Sequence, residues 1–567
     1  MSCIVVKNAK TLRRIDLSKN IWRSPFQEQM AWHKGYLKPG FETWELLAEQ
    51  VVQEVCIYMS KEDKSQLTQY ITEMKFLPGG RYLYYAGRGL KYYNNCFLFN
   101  ALEDTREDWA RLVWKSMAAL MTGGGIGNVY TKYRPKGKKI KRTGGLASGP
   151  INIMEIVNEV GRGVSQGGSR RSAIWGGLHW YHDDIPLLME YKNWDAKRPP
   201  GCPLSYGELK RKDLMFPAPL DCTNISAIYD DTCFETQVKE LQATTILRKN
   251  IEQAMRTGEP GMSFNFGQDK INEYLRNACC EIVSDTESDI CNIGSLNFPK
   301  IKDKAELEDV IRLAMQFLVC GTLTAEVPFD EVRKARSKNR RLGLGKLGVH
   351  EQLLMWGDDY SVTSRLRSWL EVYENASKQY ADEFCDKLGI SRPRGYRADA
   401  PNGSLMLITG TTSGIEPVFS VAYKRKYLEL HTQKYQFIVD TTAKYIMETY
   451  NIPADKIETA YSLSENPEKR IKFQADIQEY VDQGISSTVN LPAWGSEHNN
   501  ESKVGEMTRL VQKYWKRLRG ITFYPDGARW GQPFESVDYE YAKGKEGVEF
   551  EEKSHDVCEL SNKSTCG

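Results

Sequence analysis

From about residue 145 to about residue 450 the chain alternates between long amphipathic stretches and short, mostly apolar runs. "INIMEIVNEVGRGV" and "AELEDVIRLAMQFLVCGTLT" carry apolar residues at helical spacing, whereas "SAIWGGLHW", "NISAIY" and "SLMLIT" have the length of strands. Strand, crossover helix and parallel return strand bury a sheet on both faces, so the pattern predicts an α/β domain built on parallel strands. Residues 1–90 read as a helical region, in which "ETWELLAEQVVQEVCIYM" sets Trp44, Leu47, Val51, Val55 and Tyr58 on one face. "TREDWARLVWKSMAALM" predicts a helix capped by Thr105 and Asp108, with a stripe of Trp109, Leu112, Val113, Met117 and Leu120. It runs into "TGGGIGNVY", whose glycines let the backbone turn and approach something closely. No Lys-Ser/Thr follows, so this is not a phosphate-binding P-loop. From about Glu535 core-forming residues become sparse, and the segment reads as a flexible arm.

A chain of 567 residues exceeds the usual single core. A net charge of +3 argues against a dedicated nucleic-acid or membrane-surface binder. No apolar run reaches the roughly eighteen residues of a membrane span, and the N-terminus lacks the pattern of a signal peptide, so a cytoplasmic protein is expected. The thirteen cysteines include no C-x-x-C, which disfavours zinc ribbons and thioredoxin-like motifs. The histidines are dispersed apart from His179 and His182, and no metal site is expected.

The stretch "NACCEIVSDTESDIC" stands apart. Cys279 and Glu281 are two residues apart, and in an extended segment both would share a face with Asn277. A thiol and a carboxylate entering one cavity form a chemical pair, with the carboxylate as a general base; a surface loop with an exposed glutamate fits the composition equally. Cys56, Cys202, Cys222, Cys233, Cys320 and Cys385 read as small buried hydrophobes. Cys558 and Cys566 lie in a segment too polar to bury them, which points to thiol–disulfide exchange, with a fortuitous or metal-binding pair as the alternative.

Five motifs resemble, in order, those of the ribonucleotide reductases: "YYNNCFLF", "NACCE", "CNIGSLNF", "NRRLGLGKLG" and "APNGSLMLITGTTSGIEP", between Tyr92 and Pro417. The resemblance implies a ten-stranded α/β barrel of two half-barrels with a central finger loop, over residues 91–534. The helical region 1–90 would precede it and a redox tail, 535–567, would follow. It implies that Cys279 becomes a thiyl radical and takes the hydrogen from the ribose 3′ carbon. Glu281 would accept the 3′ hydroxyl proton and Asn277 would hydrogen-bond the substrate hydroxyls. Cys96 and Cys291 would protonate the leaving 2′ hydroxyl and end as a disulfide. Cys558 and Cys566 would reduce that disulfide and be recharged by a thioredoxin- or glutaredoxin-like protein. Asn95, beside Cys96, is expected at the substrate. Ser404, Gly410, Thr411, Thr412, Ser413 and Gly414 are expected to bind its phosphates, with backbone and hydroxyl donors ahead of a helix start. Asn402 replaces the family's serine, and a triphosphate is slightly preferred over a diphosphate. "VGRGVSQGGSRRSA" matches an effector loop, so Arg162, Arg170 and Arg171 are expected to pair with dNTP or ATP phosphates. Without the long insertion of the monomeric cobalamin enzymes, a homodimer is expected.

Three features resemble the adenosylcobalamin-dependent kind: "LPGGRYLYYAG" with "GGLASGP", "LRGITFYPDGARWGQP", and Phe523-Tyr524 where an oxygen-dependent large subunit carries adjacent tyrosines. No D-x-H-x-x-G motif is present, so the cofactor would bind without such a histidine. The alternatives are a large subunit that borrows its radical from a metal protein, a nucleotide-binding regulatory protein without chemistry, and a thiol–disulfide oxidoreductase. The last gives no reason for the glycine-rich phosphate stretch.

Overall fold

The computed structural model describes residues 21–141, 143–164, 172–213, 216–429, 432–528 and 534–550. Five parallel strands form the centre of an eight-stranded sheet: Cys96–Asn100, Gly125–Val129, Ile174–His179, Thr223–Asp230 and Gly261–Asn265. Their near-continuous burial is what a sheet covered on both faces requires. Gly520–Pro525 pairs antiparallel with Gly261–Asn265, and Thr488–Leu491 lies parallel beside it. At the other edge Asp289–Ile290 runs antiparallel to Cys96–Asn100. A second sheet holds Phe76–Pro78, Ile293–Asn297 and Gly343–Leu347, the last two parallel.

The capped helix forms as Arg106–Met121, with the Thr105 hydroxyl accepting from the Asp108 N–H. Leu112 and Leu120 are buried and Trp109 and Val113 pack on the same core, but Met117 turns outward. In the N-terminal region Trp44–Val55 buries Trp44, Leu47, Val51 and Val55, while Tyr58 lies past its end and is exposed. "SLMLIT" is not a strand but part of the helix Gly403–Thr409, bounded by Asn402 and Gly410, both left-handed. A short apolar run has no period long enough to separate the two, and these flanking caps decide it. The flexible arm expected from Glu535 is not found over the described residues to Phe550. Phe534–Val537 and Glu549–Phe550 are strands on a four-stranded antiparallel sheet with Ala422–Glu429 and Thr432–Val439. Backbone pairing and the buried Ala542 hold this part despite its polarity. Of the cysteines assigned to the core, Cys56, Cys233, Cys320 and Cys385 are buried and Cys202 and Cys222 half-buried. Among the described residues no helix is long and apolar enough to cross a membrane.

Candidate active site

Leu275–Arg276 and Val283–Ser284 pair antiparallel as a short stalk, and the residues between them form its tip. The tip is a turn rather than an extended segment. The Cys280 N–H donates to the Asn277 carbonyl (3.1 Å), the Asn277 Oδ1 accepts from the Ile282 N–H (3.0 Å), and Cys280 has a φ of 66°. That left-handed conformation costs a non-glycine residue about 1–2 kcal/mol. The glycines after the capped helix now have a reason. A Cβ on Gly127 would stand 1.9 Å from the Arg276 carbonyl oxygen, and one on Gly125 would stand 2.8 Å from Ala278 Cβ. Gly484 closes the other side: its N–H donates to the Glu281 carbonyl (2.7 Å), and a Cβ there would meet the Cys280 oxygen at 2.5 Å. The close approach permitted by "TGGGIGN" is to this finger loop.

Cys96 opens its strand, and Cys291 follows the strand paired against it. The Cys291 N–H donates to the Cys96 carbonyl (3.1 Å) and the Cys96 N–H to the Cys291 sulfur (3.0 Å). Cys279 reaches the same place, so Cys279 and Cys291 both hydrogen-bond Cys96. Those two bonds hold the Cys96 thiol well below the ordinary thiol range. Cys279 is pushed up by its bond to Cys96, by burial and by Glu281; Cys291 is pushed up by burial and then by Cys96. The three thiols are thus coupled, and Cys96 is the one that gives up its proton most readily. Glu281 is 1% exposed; burial, then the charge on Cys96, raises its carboxyl to about 8. A carboxyl poised there gives up or takes a proton near neutrality. Glu281 Oε2, Asn95 Oδ1 and Asn94 Oδ1 are buried without a protein partner, and the Asn277 amide reaches both Cys96 and Glu281. Each such atom costs about 1–3 kcal/mol, so their gathering beside the thiols marks a place for a ligand rich in hydroxyls.

The expected phosphate residues are brought together with one change. No helix begins after Gly410–Gly414; the helix Gly403–Thr409 precedes them, because Gly410 is left-handed and ends it. The Thr411 hydroxyl donates to the buried Glu351 and the Ser413 hydroxyl to the Pro401 carbonyl. Thr412 Oγ1 is buried without a partner, Ser404 is half-buried near the helix start, and the Asn402 amide donates to Ser295 Oγ (2.9 Å). Arg162 is held by Glu159 and by Asp221 (2.8 Å). Arg170, Arg171, Cys558 and Cys566 lie outside the described residues. Among the described residues no group of three or more metal-ligating side chains occurs.

Sequence reasoning missed Arg276, Asn94 and Gly484. Asn94, two residues before Cys96 and inside the same motif, donates to the Cys291 carbonyl (2.7 Å) and could have been found from its place there. Gly484 has no local signal, since its partner Glu281 is about two hundred residues away in the chain.

A family profile described as "Ribonucleotide reductase, barrel domain" matches residues 94–367 and 394–524. The chain is 26% identical over 517 residues to the vitamin B12-dependent ribonucleoside-diphosphate reductase of Mycobacterium tuberculosis (strain CDC 1551 / Oshkosh), covering 82% of this chain and 72% of that one. It is 25% identical over 522 residues to the protein of the same name from Thermoplasma acidophilum, covering 82% of this chain and 65% of that one. With the ribonucleoside-diphosphate reductase subunit alpha of Chlamydia trachomatis it shares 25% identity over 340 residues, 52% of this chain and 32% of that one. The profile takes in Cys96, the finger loop, Cys291 and the phosphate stretch, the same parts that the fold gathers into one site, and the chain belongs to the ribonucleotide reductase family.

Proposed function

We propose that the chain reduces ribonucleotides to 2′-deoxyribonucleotides by a thiyl-radical mechanism with adenosylcobalamin as its radical source. The observation that carries the reading is the meeting of Cys279, Cys96 and Cys291 around a buried Glu281. Cys279, as a thiyl, takes the hydrogen atom from the 3′ carbon and later returns one. Glu281 takes the 3′ hydroxyl proton. Asn277 Nδ2 and the asparagines before Cys96 bind the ribose hydroxyls. The 2′ hydroxyl leaves as water, and Cys96 and Cys291 give up two electrons and two protons as they close a disulfide. Removing water from C2′ by an ionic route would need a poorly stabilised cation; a neighbouring radical and a base avoid it.

When bound, adenosylcobalamin supplies the one-electron oxidation of the Cys279 S–H bond. The residues present suit it. Among the described residues, the inner apolar cluster around Cys96 and Cys291 leaves Cys279 and Cys280 partly open, as a thiol that hands its hydrogen atom to a bound group requires. Relatives named for vitamin B12 match 82% of the chain against 52% for the subunit alpha, which favours the cobalamin reading over a borrowed radical. The isolated bridges Leu344–Arg397 and Asp399–Ile485 support reading the strands after the finger loop as the second half of a ten-stranded barrel. The decisive experiment mixes purified protein, adenosylcobalamin, a dithiol and a nucleoside di- or triphosphate without oxygen and measures deoxynucleotide. Product without a second subunit is expected; product only with a metal-radical protein would overturn the cofactor reading, and the two phosphate lengths compared side by side give the substrate.

The redox tail is tested by changing both Cys558 and Cys566 to Ser. Steady-state turnover with a protein reductant should fall at least about tenfold, while pre-reduced enzyme should still complete one turnover. Loss of that first turnover would refute the shuttle. We also read the protein as a homodimer bearing effector sites. The neighbouring helices Arg106–Met121 and Pro150–Gly163 expose Trp114, Met117, Met121 and Ile156 beside a shallow groove lined by Val160 and Val164. Such an apolar face fits a second copy of the same chain. Met117→Glu with Ile156→Glu should give a monomer by light scattering and abolish the response to dNTP effectors; an unchanged dimer would remove this face from consideration.

A further inference from the structure

Arg276 is the residue before Asn277 and is fully buried. Its guanidinium donates to the carbonyls of Leu275 (3.1 Å), Phe264 (3.3 Å) and Arg519 (3.3 Å), to that of Glu273, and to Asn265 Oδ1 (2.6 Å). Among the described residues no carboxylate lies within ion-pair distance of it, unlike the neighbouring buried Arg341 and Arg519, which meet Asp289 and Glu273. Burying a cation without a counter-charge costs several kcal/mol, and an apolar side chain of similar volume would fill the space without that cost. The acceptors explain where the charge is spent. Phe264 and Asn265 end the last parallel strand of the central sheet, and Arg519 precedes the strand Gly520–Pro525 that pairs with it antiparallel. The guanidinium therefore ties the stalk of the finger loop to the seam between the two strand systems. On the far side of the same residue, its carbonyl presses on Gly127.

We propose that Arg276 is the positioning residue of the finger loop, its planar fork fixing the height of Cys279 against Cys96 and the sugar. The two amino groups of one rigid plane reach acceptors from three segments at once; a single ammonium on a flexible stem cannot. The inference rests on the reaction proposed above, but it can be judged apart from it.

The test is Arg276→Lys, which keeps the charge and loses the fork. In the loaded enzyme kcat should fall about 10²-fold, the loss expected of a displacement near 1 Å, with KM within about twofold. The kinetic isotope effect with nucleotide deuterated at C3′ should rise, because hydrogen abstraction becomes the slow step. A fall in kcat with an unchanged isotope effect would overturn the proposal. So would a kcat near that of the parent. A second arm uses protein without cofactor or nucleotide. Iodoacetamide should label Cys279 about tenfold faster in the variant, as a freed loop opens, while the buried Cys320 keeps its rate; an unchanged Cys279 rate also overturns the proposal. If the parent makes no deoxynucleotide under any condition, the proposed reaction fails and the labelling arm alone judges Arg276. If Arg276→Lys does not fold, Asn265→Ala, which removes one acceptor, should show the same faster labelling, and its absence would count against the clamp.

Discussion

Cys279→Ser should leave no measurable deoxynucleotide formation, below about one ten-thousandth of the parent rate, with the fold and nucleotide binding intact. Serine is nearly isosteric, and the turn that holds the position depends on the backbone of Asn277, Cys280 and Ile282 and on the Asn277 side-chain oxygen, so the loop should keep its shape. What changes is the bond. An S–H bond is weak enough to give up its hydrogen to a radical donor and to regain one from a ribose carbon, and an O–H bond is not. The structure adds a second consequence. Cys279 donates one of the two hydrogen bonds that lower the Cys96 thiol. A hydroxyl is also a donor, so Cys279→Ser should keep the Cys96 thiol low, whereas Cys279→Ala should raise it. Titrating the alkylation rate of Cys96 against pH in the two variants distinguishes these. If Cys279→Ser retained even a percent of turnover, the hydrogen relay would have to pass through another atom, and the assignment of the finger loop would fall with it.

These residues were legible in the sequence to different depths, for physical reasons. The helix Arg106–Met121 was visible because a cap and a stripe are local signals that tertiary structure had only to accept. The parallel strands were visible because full burial leaves apolar runs. Gly403–Thr409 was misread for the same reason, since a buried two-turn helix and a buried strand look alike over six residues. The thiols, Glu281 and Asn277 were marked by motif order rather than by any property of the stretch itself. Their expected extended geometry was wrong, yet the tight turn brings Cys279 and Glu281 to the same neighbours. Arg276 was invisible because a lone arginine in a sequence is expected at the surface, and only the convergence of carbonyls from three distant segments makes its burial tolerable. Among the expected phosphate hydroxyls, no local pattern tells that Thr411 and Ser413 are spent on Glu351 and Pro401 while Thr412 stays free.

Glu281→Gln should cost about 10²–10⁴-fold in kcat/KM and abolish an acid limb in the pH profile. In the parent the carboxyl must be ionised to take the 3′ hydroxyl proton. With its acid form favoured by burial and by the charge on Cys96, kcat/KM should climb with pH and level off only above about 8. The same proton acts on stability in the opposite sense. The folded state holds it more tightly than the unfolded chain, whose glutamates titrate near 4.3, so the stabilisation is complete below about that pH. It drains away at about 1.4 kcal/mol for each pH step of one as the pH climbs, and is gone once the pH has risen through about 8. Asp440, another buried carboxyl, is raised only to about 6, but Lys38 is lowered to about 8 and Arg276 to about 9, so it is the difference between the melting curves of parent and Glu281→Gln between pH 7 and 9 that isolates Glu281. Over that window Glu281→Gln should gain stability relative to the parent, even as it loses activity. Cys96→Ala removes the charge that helps to hold the proton, and in that variant the stability decline should move to lower pH. Parent activity flat from pH 7 to 9, together with a parent-minus-variant melting difference that is also flat, would show that the carboxylate is already ionised in the fold. The base would then be an ordinary one.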